Sequence, residues 1–403
     1  MNRFLFCLLA LLTVSCGPTL KETDYDPAGA TETQDRPISY EVKRTFRMDK
    51  GRVSFSNEYS GARLSAVEQT GPDAYTLTIL PENEPINKSA WYGFQVWGTS
   101  PRQLKLTLSY PGYKHRYVPK LSTDGSQWSP VAASDLVLDT TTFSLTFPVS
   151  ITEKPLWVSA QERFPSDSVY AWEERIGREH EGVKLCLGYS HLGKPINLTN
   201  FGNLGSSNWI VVMGRQHPPE VTGYLATQAF METVLGESEL AKSFREKFRI
   251  VMIPMLNPDG IDLGHWRQSG GGVDLNRDWA NFHQPETRAV RDYLINTVAE
   301  GISVDVAIDF HSTDSDMYYV FTDDMQTHRQ GFTSLWLNRI RAIIPGYEPD
   351  TEATDMASPS AKYFFFNELR TEFITYEVGD ETPREEVTQR AEAAAIAMME
   401  LMQ

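Results

Sequence analysis

Trp209-Ile-Val-Val-Met-Gly-Arg-Gln-His-Pro-Pro-Glu220 is the stretch from which the fold can be read. The run from Trp209 to Met213 is apolar without a break, as expected of a strand covered on both faces. Polar residues follow it at once, and a helical stretch from Val221 to Leu235 comes next. Strand, polar turn and helix in succession form the unit of an α/β fold.

The same unit recurs on either side. Arg249-Ile-Val-Met-Ile-Pro-Met-Leu256 is a second buried run, and Val304-Asp-Val-Ala-Ile-Asp-Phe310 and Phe373-Ile-Thr-Tyr-Glu-Val378 read as strands. Residues 285–300 read as a helix with Pro285 in its first turn, and residues 385–402 as a last helix. From about residue 165 onward, this alternation predicts a mostly parallel mixed sheet flanked by helices.

The preceding segment has another period. Ala74-Tyr-Thr-Leu-Thr-Ile-Leu80, Trp91-Tyr-Gly-Phe-Gln-Val-Trp97 and Leu104-Lys-Leu-Thr-Leu-Ser-Tyr110 alternate with a repeat of two, and Asp124-Gly125 is a turn signal. An all-β sandwich of seven to nine strands is expected here. The expected organisation is a leader over 1–16, a flexible tether over 17–38, a β-sandwich domain over 39–162 and an α/β domain over 163–403. At roughly 100–200 residues per domain, 403 residues agree with such a division.

The leader carries Arg3, then an apolar run from Phe4 to Val14, then Ser15-Cys16-Gly17. The run falls short of the roughly 20 residues a spanning helix needs and suits a signal h-region. Ser15 before Cys16 resembles a bacterial lipobox, with Thr13 where Leu is usual. The expectation is a bacterial envelope lipoprotein, periplasmic or outer-membrane, anchored to the membrane through lipidated Cys16. An ordinary cleaved signal peptide is the alternative. With Cys7 and Cys16 in the leader, Cys186 alone remains, so the mature chain has no disulfide framework. Its strand-like surroundings predict a small buried hydrophobe. A net charge of −16 argues against a nucleic-acid partner.

In open α/β sheets, sites form at the carboxyl ends of strands. His217 and Glu220 follow the first buried run, Asn257 and Asp259 the second, His311 the third, and Glu377 sits near the end of the fourth. His217-x-x-Glu220 can reach one ion from a tight turn, and a distant His311 completes two imidazoles and a carboxylate. Three protein ligands with an open fourth position suit a catalytic zinc ion, one per chain.

Gly272-Val-Asp-Leu-Asn-Arg-Asp-Trp279 makes the pattern specific. Together with His217-Pro-Pro-Glu220, Asn257-Pro-Asp-Gly260, Phe310-His-Ser312 and Tyr376-Glu377, it resembles the M14 zinc carboxypeptidases over about residues 165–403. The resemblance implies that His217, Glu220 and His311 bind zinc and that Glu377 is the general base on the zinc-activated water. It implies that Arg267 polarises the scissile carbonyl, that Asn276 and Arg277 hold the substrate's terminal carboxylate, and that Asp274 orients the first zinc histidine. Tyr363 is the nearest candidate for the family's mobile tyrosine. Lys362 is a candidate for the side-chain pocket, with an exposed lysine as the other reading.

Chemistry supports the same roles. A carboxylate beside a metal shuttles protons, a fixed guanidinium stabilises an oxyanion, and its fork matches a carboxylate. Trp91-Tyr-Gly-Phe94 and Lys120-Leu-Ser-Thr-Asp-Gly-Ser-Gln-Trp128 resemble the N-terminal β-sandwich of the cytosolic carboxypeptidases, whose substrates are not carried over because of the leader. The expected function is removal of C-terminal residues from peptides or proteins. The competing readings are a peptidase of peptidoglycan stem peptides, an aspartoacylase-like deacylase and an inactive binding lipoprotein.

Overall fold

A computed structural model describes Thr33 and residues 35–403, apart from Lys88, Glu300 and Asp355. The leader, Cys16 and most of the tether lie outside the described residues. Among the described residues no helix is long and apolar enough to cross a membrane.

Residues 45–159 form two sheets. One has six strands, in the order Thr45–Met48, Val53–Ser56, Gly93–Gly98, Leu156–Ser159, Lys120–Ser122 and Ser129–Pro130. The other has five, in the order Ala66–Gly71, Ala74–Thr78, Arg102–Ser109, Ser144–Ile151 and Val137–Asp139. The period of two decides which residues face inward. Leu104, Leu106 and Leu108 from one sheet meet Phe55, Phe94 and Val96 from the other in one buried cluster. Eleven strands stand where seven to nine were expected. The surplus is short: the strands at Lys120, Ser129 and Val137 have three, two and three residues. Such lengths leave no period to read.

The second half is built on an eight-stranded mixed sheet. Its order is Val183–Tyr189, Pro195–Gly202, Arg249–Ile253, Asn208–Gly214, Ser303–Thr313, Glu372–Gly379, Met317–Val320 and Thr351–Ala353. The central strands run parallel, as the apolar runs predict. Both faces are covered. Ile210 and Val212 enter one core with Tyr224 and Phe230 of the helix Val221–Val234, Trp336 of Phe332–Ile343 and Met398 of Arg384–Leu401. Trp209, Val211 and Met213 enter the opposite core with Val290 and Leu294 of Pro285–Ala299 and Phe364 and Phe365 of Ala361–Leu369. One strand thus feeds two cores, which is why its sequence shows no alternation.

Cys186 corrects an expectation. It lies exposed on the edge strand Val183–Tyr189, where its thiol donates to the Gly188 carbonyl at 3.2 Å. An edge strand is open on its outer side, so an apolar-looking run there does not imply burial.

Candidate active site

Two parallel strands and one turn build the centre. The strand Ser303–Thr313 pairs with Glu372–Gly379 in a register that sets His311 beside Glu377. The strand Asn208–Gly214 lies on the other side of Ser303–Thr313. Beyond it, the chain turns through a left-handed Arg215 (φ 53°) and enters the helix Val221–Val234 directly after Glu220. Gly223 sits in that helix's first turn, and a Cβ there would lie 2.5 Å from the His311 carbonyl oxygen. Glycine therefore allows the helix start, with Glu220 at its tip, to approach the strand that holds His311.

The three side chains converge. His217 Nδ1 lies 2.8 Å from one Glu220 oxygen, and His311 Nδ1 lies 2.8 Å from the other. The donor atoms of His217, Glu220 and His311 all fall within 4.8 Å of one another, and all three residues are buried. The far side of each ring is held by a carboxylate: His217 Nε2 by Asp274 at 2.9 Å, and His311 Nε2 by Asp309 at 2.7 Å. Asp309 is anchored in turn by Gln216 Nε2 at 2.6 Å, and Gln216 by the indole N–H of Trp279 at 2.9 Å.

This donor set fits a divalent cation. An ionised carboxylate only accepts hydrogen bonds, so Asp274 and Asp309 place the ring protons on Nε2. Nδ1 of each ring is left facing the carboxylate of Glu220, a place that favours a positive charge, whether a proton or a metal cation. The electrostatics agree. Burial opposes charge on His311, yet Asp309 and Glu220 raise its pKa well above the ordinary imidazole value. Burial likewise opposes charge on Glu220, and the two histidines overcome it to hold the carboxyl well below its usual range. Two imidazoles and a carboxylate form a common zinc set.

The groups beside this centre face one cavity of about 290 Å³. His217, Glu220, His311, Arg267, Asn276, Arg277, Lys362 and Glu377 all line it. Arg267 Nε donates to Asp274 Oδ2 at 2.6 Å, and the other Asp274 oxygen holds His217. Asp274 also accepts the Asn276 amide at 2.8 Å and so starts the short turn Leu275–Arg277. Asn276 Oδ1 accepts the Ala361 amide at 3.0 Å, which ties this turn to the helix Ala361–Leu369. Burial pushes the Glu377 carboxyl up to about 7, opposed by His311, His217 and Arg267 and assisted by Glu220.

Some expected residues stand elsewhere. Tyr363 does not line the cavity; Tyr319 does, beneath the Lys362 ammonium, which lies 4.7 Å from the ring centroid. On the helix Ala361–Leu369 neighbouring side chains diverge by about 100°, so the turn that faces Lys362 to the cavity carries Tyr363 away. Asn257 and Asp259 are buried supports. Asn257 caps its helix at Gly260 and bonds the Gln216 carbonyl, while Asp259 holds Ser190 and the Leu192 amide. His265 is buried against the Gln268 carbonyl and lies outside the cavity lining.

The β-rich half also reaches the cavity, which the sequence did not reveal. Arg116 and Asn87 line it. Arg116 pairs with Asp380 at 2.7 Å and donates to the Ser312 carbonyl at 3.4 Å, next to His311. No motif marks Arg116; a basic residue in a loop far along the chain has no local signal.

Comparison with known proteins agrees with this geometry. The family model described as zinc carboxypeptidase, peptidase M14, matches residues 169–362. Mouse cytosolic carboxypeptidase 6 is 23% identical over 320 residues, which cover 70% of this chain and 58% of the mouse protein. An uncharacterized protein of Zymomonas mobilis is 26% identical over 267 residues, covering 64% of this chain and 67% of that protein. The chain thus spans about six-tenths of the length of the cytosolic carboxypeptidase. Among solved structures, a metallo-carboxypeptidase from Burkholderia cenocepacia superposes with a TM-score of 0.73 at 18% identity, covering 87% of this chain and 98% of that one. A metallo-carboxypeptidase from Pseudomonas aeruginosa, solved in complex with (2-guanidinoethylmercapto)succinic acid, gives 0.70 at 18% identity, covering 86% and 98%. These superpositions extend the fold likeness through the β-rich half. The region that matches the zinc carboxypeptidase model, residues 169–362, contains His217, Glu220 and His311.

Proposed function

We propose that the protein is a zinc-dependent metallocarboxypeptidase that removes C-terminal residues from peptides. One observation carries this reading. The cavity that receives the His217–Glu220–His311 group also receives a raised carboxyl, Glu377, and three groups suited to a carboxylate or an oxyanion: Arg267, Asn276 and Arg277.

In this reading His217, Glu220 and His311 hold one zinc ion. When bound, zinc supplies a Lewis acid and lowers the pKa of water. The chain's own residues do the rest. Asn276 and Arg277 take the terminal carboxylate of the substrate, the guanidinium by paired hydrogen bonds. That contact sets the scissile bond one residue from the chain end and excludes internal cuts. Arg267, held by Asp274, presents positive charge where the carbonyl oxygen becomes an oxyanion. Glu377 accepts the proton of the attacking water and delivers it to the leaving amine. Asp274 and Asp309 keep the two imidazoles in the tautomer that leaves Nδ1 free to bind. The leader sequence supports an envelope location with Cys16 as the lipid anchor, which loss of palmitate labelling in Cys16→Ser would test.

Digestion of a peptide library, read by mass spectrometry, tests the activity. Single residues should disappear from C-termini, and the loss should stop with chelator and in Glu377→Gln. Internal cleavage would sink the exopeptidase reading and leave the metal site standing.

A further inference from the structure

Arg267 sits in a loop with no regular structure of its own. The loop leaves the helix Pro258–Leu263 through Gly264 and runs to the short turn at Leu275. Such a backbone takes its shape from whatever binds its amides. Here the binding group comes from the β-rich half. Glu82, fully buried, accepts three consecutive amides: Trp266 at 2.8 Å on one oxygen, and Arg267 at 3.0 Å and Gln268 at 2.8 Å on the other. The partners are 184 to 186 residues apart in sequence.

The neighbours of Glu82 grip the same loop. Asn83 Nδ2 donates to the Gly272 carbonyl at 3.0 Å, and Gln268 Nε2 to the Pro85 carbonyl at 3.2 Å. Arg63, also buried, spans from the Leu80 carbonyl at 2.5 Å to the Gly264 carbonyl at 3.3 Å. A continuous bonded path therefore runs from Glu82 through the Arg267 backbone, the guanidinium and Asp274 to His217.

We propose that Glu82 is a positioning residue for catalysis: the β-rich half supplies the carboxylate that shapes the loop and aims the Arg267 guanidinium into the cavity. Three donors converging on one group require an acceptor at both oxygens. A carboxylate meets that requirement, and an amide does not. In Glu82→Gln, the oxygen can keep Arg267 and Gln268, but its NH2 then faces the Trp266 N–H. The inference rests on the reading of Arg267 given above.

The test uses the full-length, zinc-loaded protein and four variants: Glu82→Gln, Glu82→Asp, Arg267→Ala and the double variant Glu82→Gln/Arg267→Ala. For each, kcat and KM on a C-terminal peptide substrate are measured alongside zinc content and melting temperature. Misplacing a catalytic group by about 1 Å can cost about 100-fold in rate. Glu82→Gln should lower kcat by about 10–100-fold with KM changed by less than about threefold and zinc at full stoichiometry. The double variant should be no slower than Arg267→Ala alone, because Glu82 acts through that residue. Glu82→Asp keeps the charge and should recover part of the lost kcat; if Glu82→Gln does not fold, the cycle is run with Glu82→Asp. Unchanged kcat in the folded Glu82 variants, a rate loss that tracks zinc loss, or multiplicative losses in the cycle would overturn the proposal. If Arg267→Ala itself leaves kcat unchanged, the assignment of Arg267 fails first, and the two failures are thereby told apart.

Discussion

Glu377 shows how one residue's chemistry depends on neighbours that the sequence scatters. Burial raises its carboxyl to about 7 before any cation is present; His311 and His217 oppose that rise, and a bound divalent cation adds to their side. In the proposed role as general base, Glu377 works only when ionised. The acid limb of kcat/KM should therefore fall below pH 7, with activity lost as pH drops through it. A pH–rate profile checks this, and a limb above pH 7 would contradict it. Glu377→Gln should lose about 100- to 10,000-fold in kcat while retaining zinc, read by steady-state kinetics and metal analysis. The grouping of His217, Glu220 and His311 was legible because residue type, the His217-x-x-Glu220 spacing and the placement of His311 at a strand end mark side chains able to hold a metal. That Tyr319 lines the cavity and Tyr363 does not was not legible, because the direction in which a side chain points depends on helix phase and strand pairing. Neither appears in a residue's identity.

At the scale of elements, junctions carry the consequences. Gly223 lets the helix Val221–Val234 start against the strand of His311. Gly223→Ala should force the two apart and cost about 1–3 kcal/mol, measured by urea unfolding, with weaker zinc binding by competition with a chelator. Glu286 lies in the first turn of the helix Pro285–Ala299, fully buried, with one oxygen accepting the His191 amide. Burial raises it to about 7. The sign follows from linkage: a carboxyl that binds its proton more tightly in the folded than in the unfolded state stabilises the fold at low pH, and that stability is lost as pH rises from about 4.5 through about 7. Glu286→Gln should therefore raise the melting temperature at pH 8 and change it little at pH 4.5, as calorimetry at the two pH values would show. The long buried strands and the helices at 221, 285 and 384 were legible from periodicity. Short elements such as the turn Leu275–Arg277 were not, because three residues define no period.

Over the whole molecule, the two halves share a core. Val221 and Trp266 of the α/β half lie in the same buried cluster as the inward faces of the two N-terminal sheets. Arg116 pairs with Asp380 at 2.7 Å, and Arg384 with Glu162 at 2.8 Å, across the same seam. A shared apolar core makes separate unfolding costly, so thermal denaturation should show one transition, with near-UV and far-UV signals coincident. Two transitions would show that the halves are stable independently. Arg116→Ala leaves Asp380 buried without its partner and should destabilise the protein by about 3–5 kcal/mol, measured by chemical denaturation. The amino-acid sequence by itself determined the fold class, the donor set and the motif residues around it. Each of these rests on local information: periodicity over a few residues, ligand type and the spacing of short motifs. Only the tertiary structure decided which groups share the cavity, that Arg116 reaches it from the other half, and that Glu82 shapes the loop of Arg267. Those contacts join positions up to 264 residues apart, and their geometry depends on how the sheets pack against one another, which no local pattern encodes.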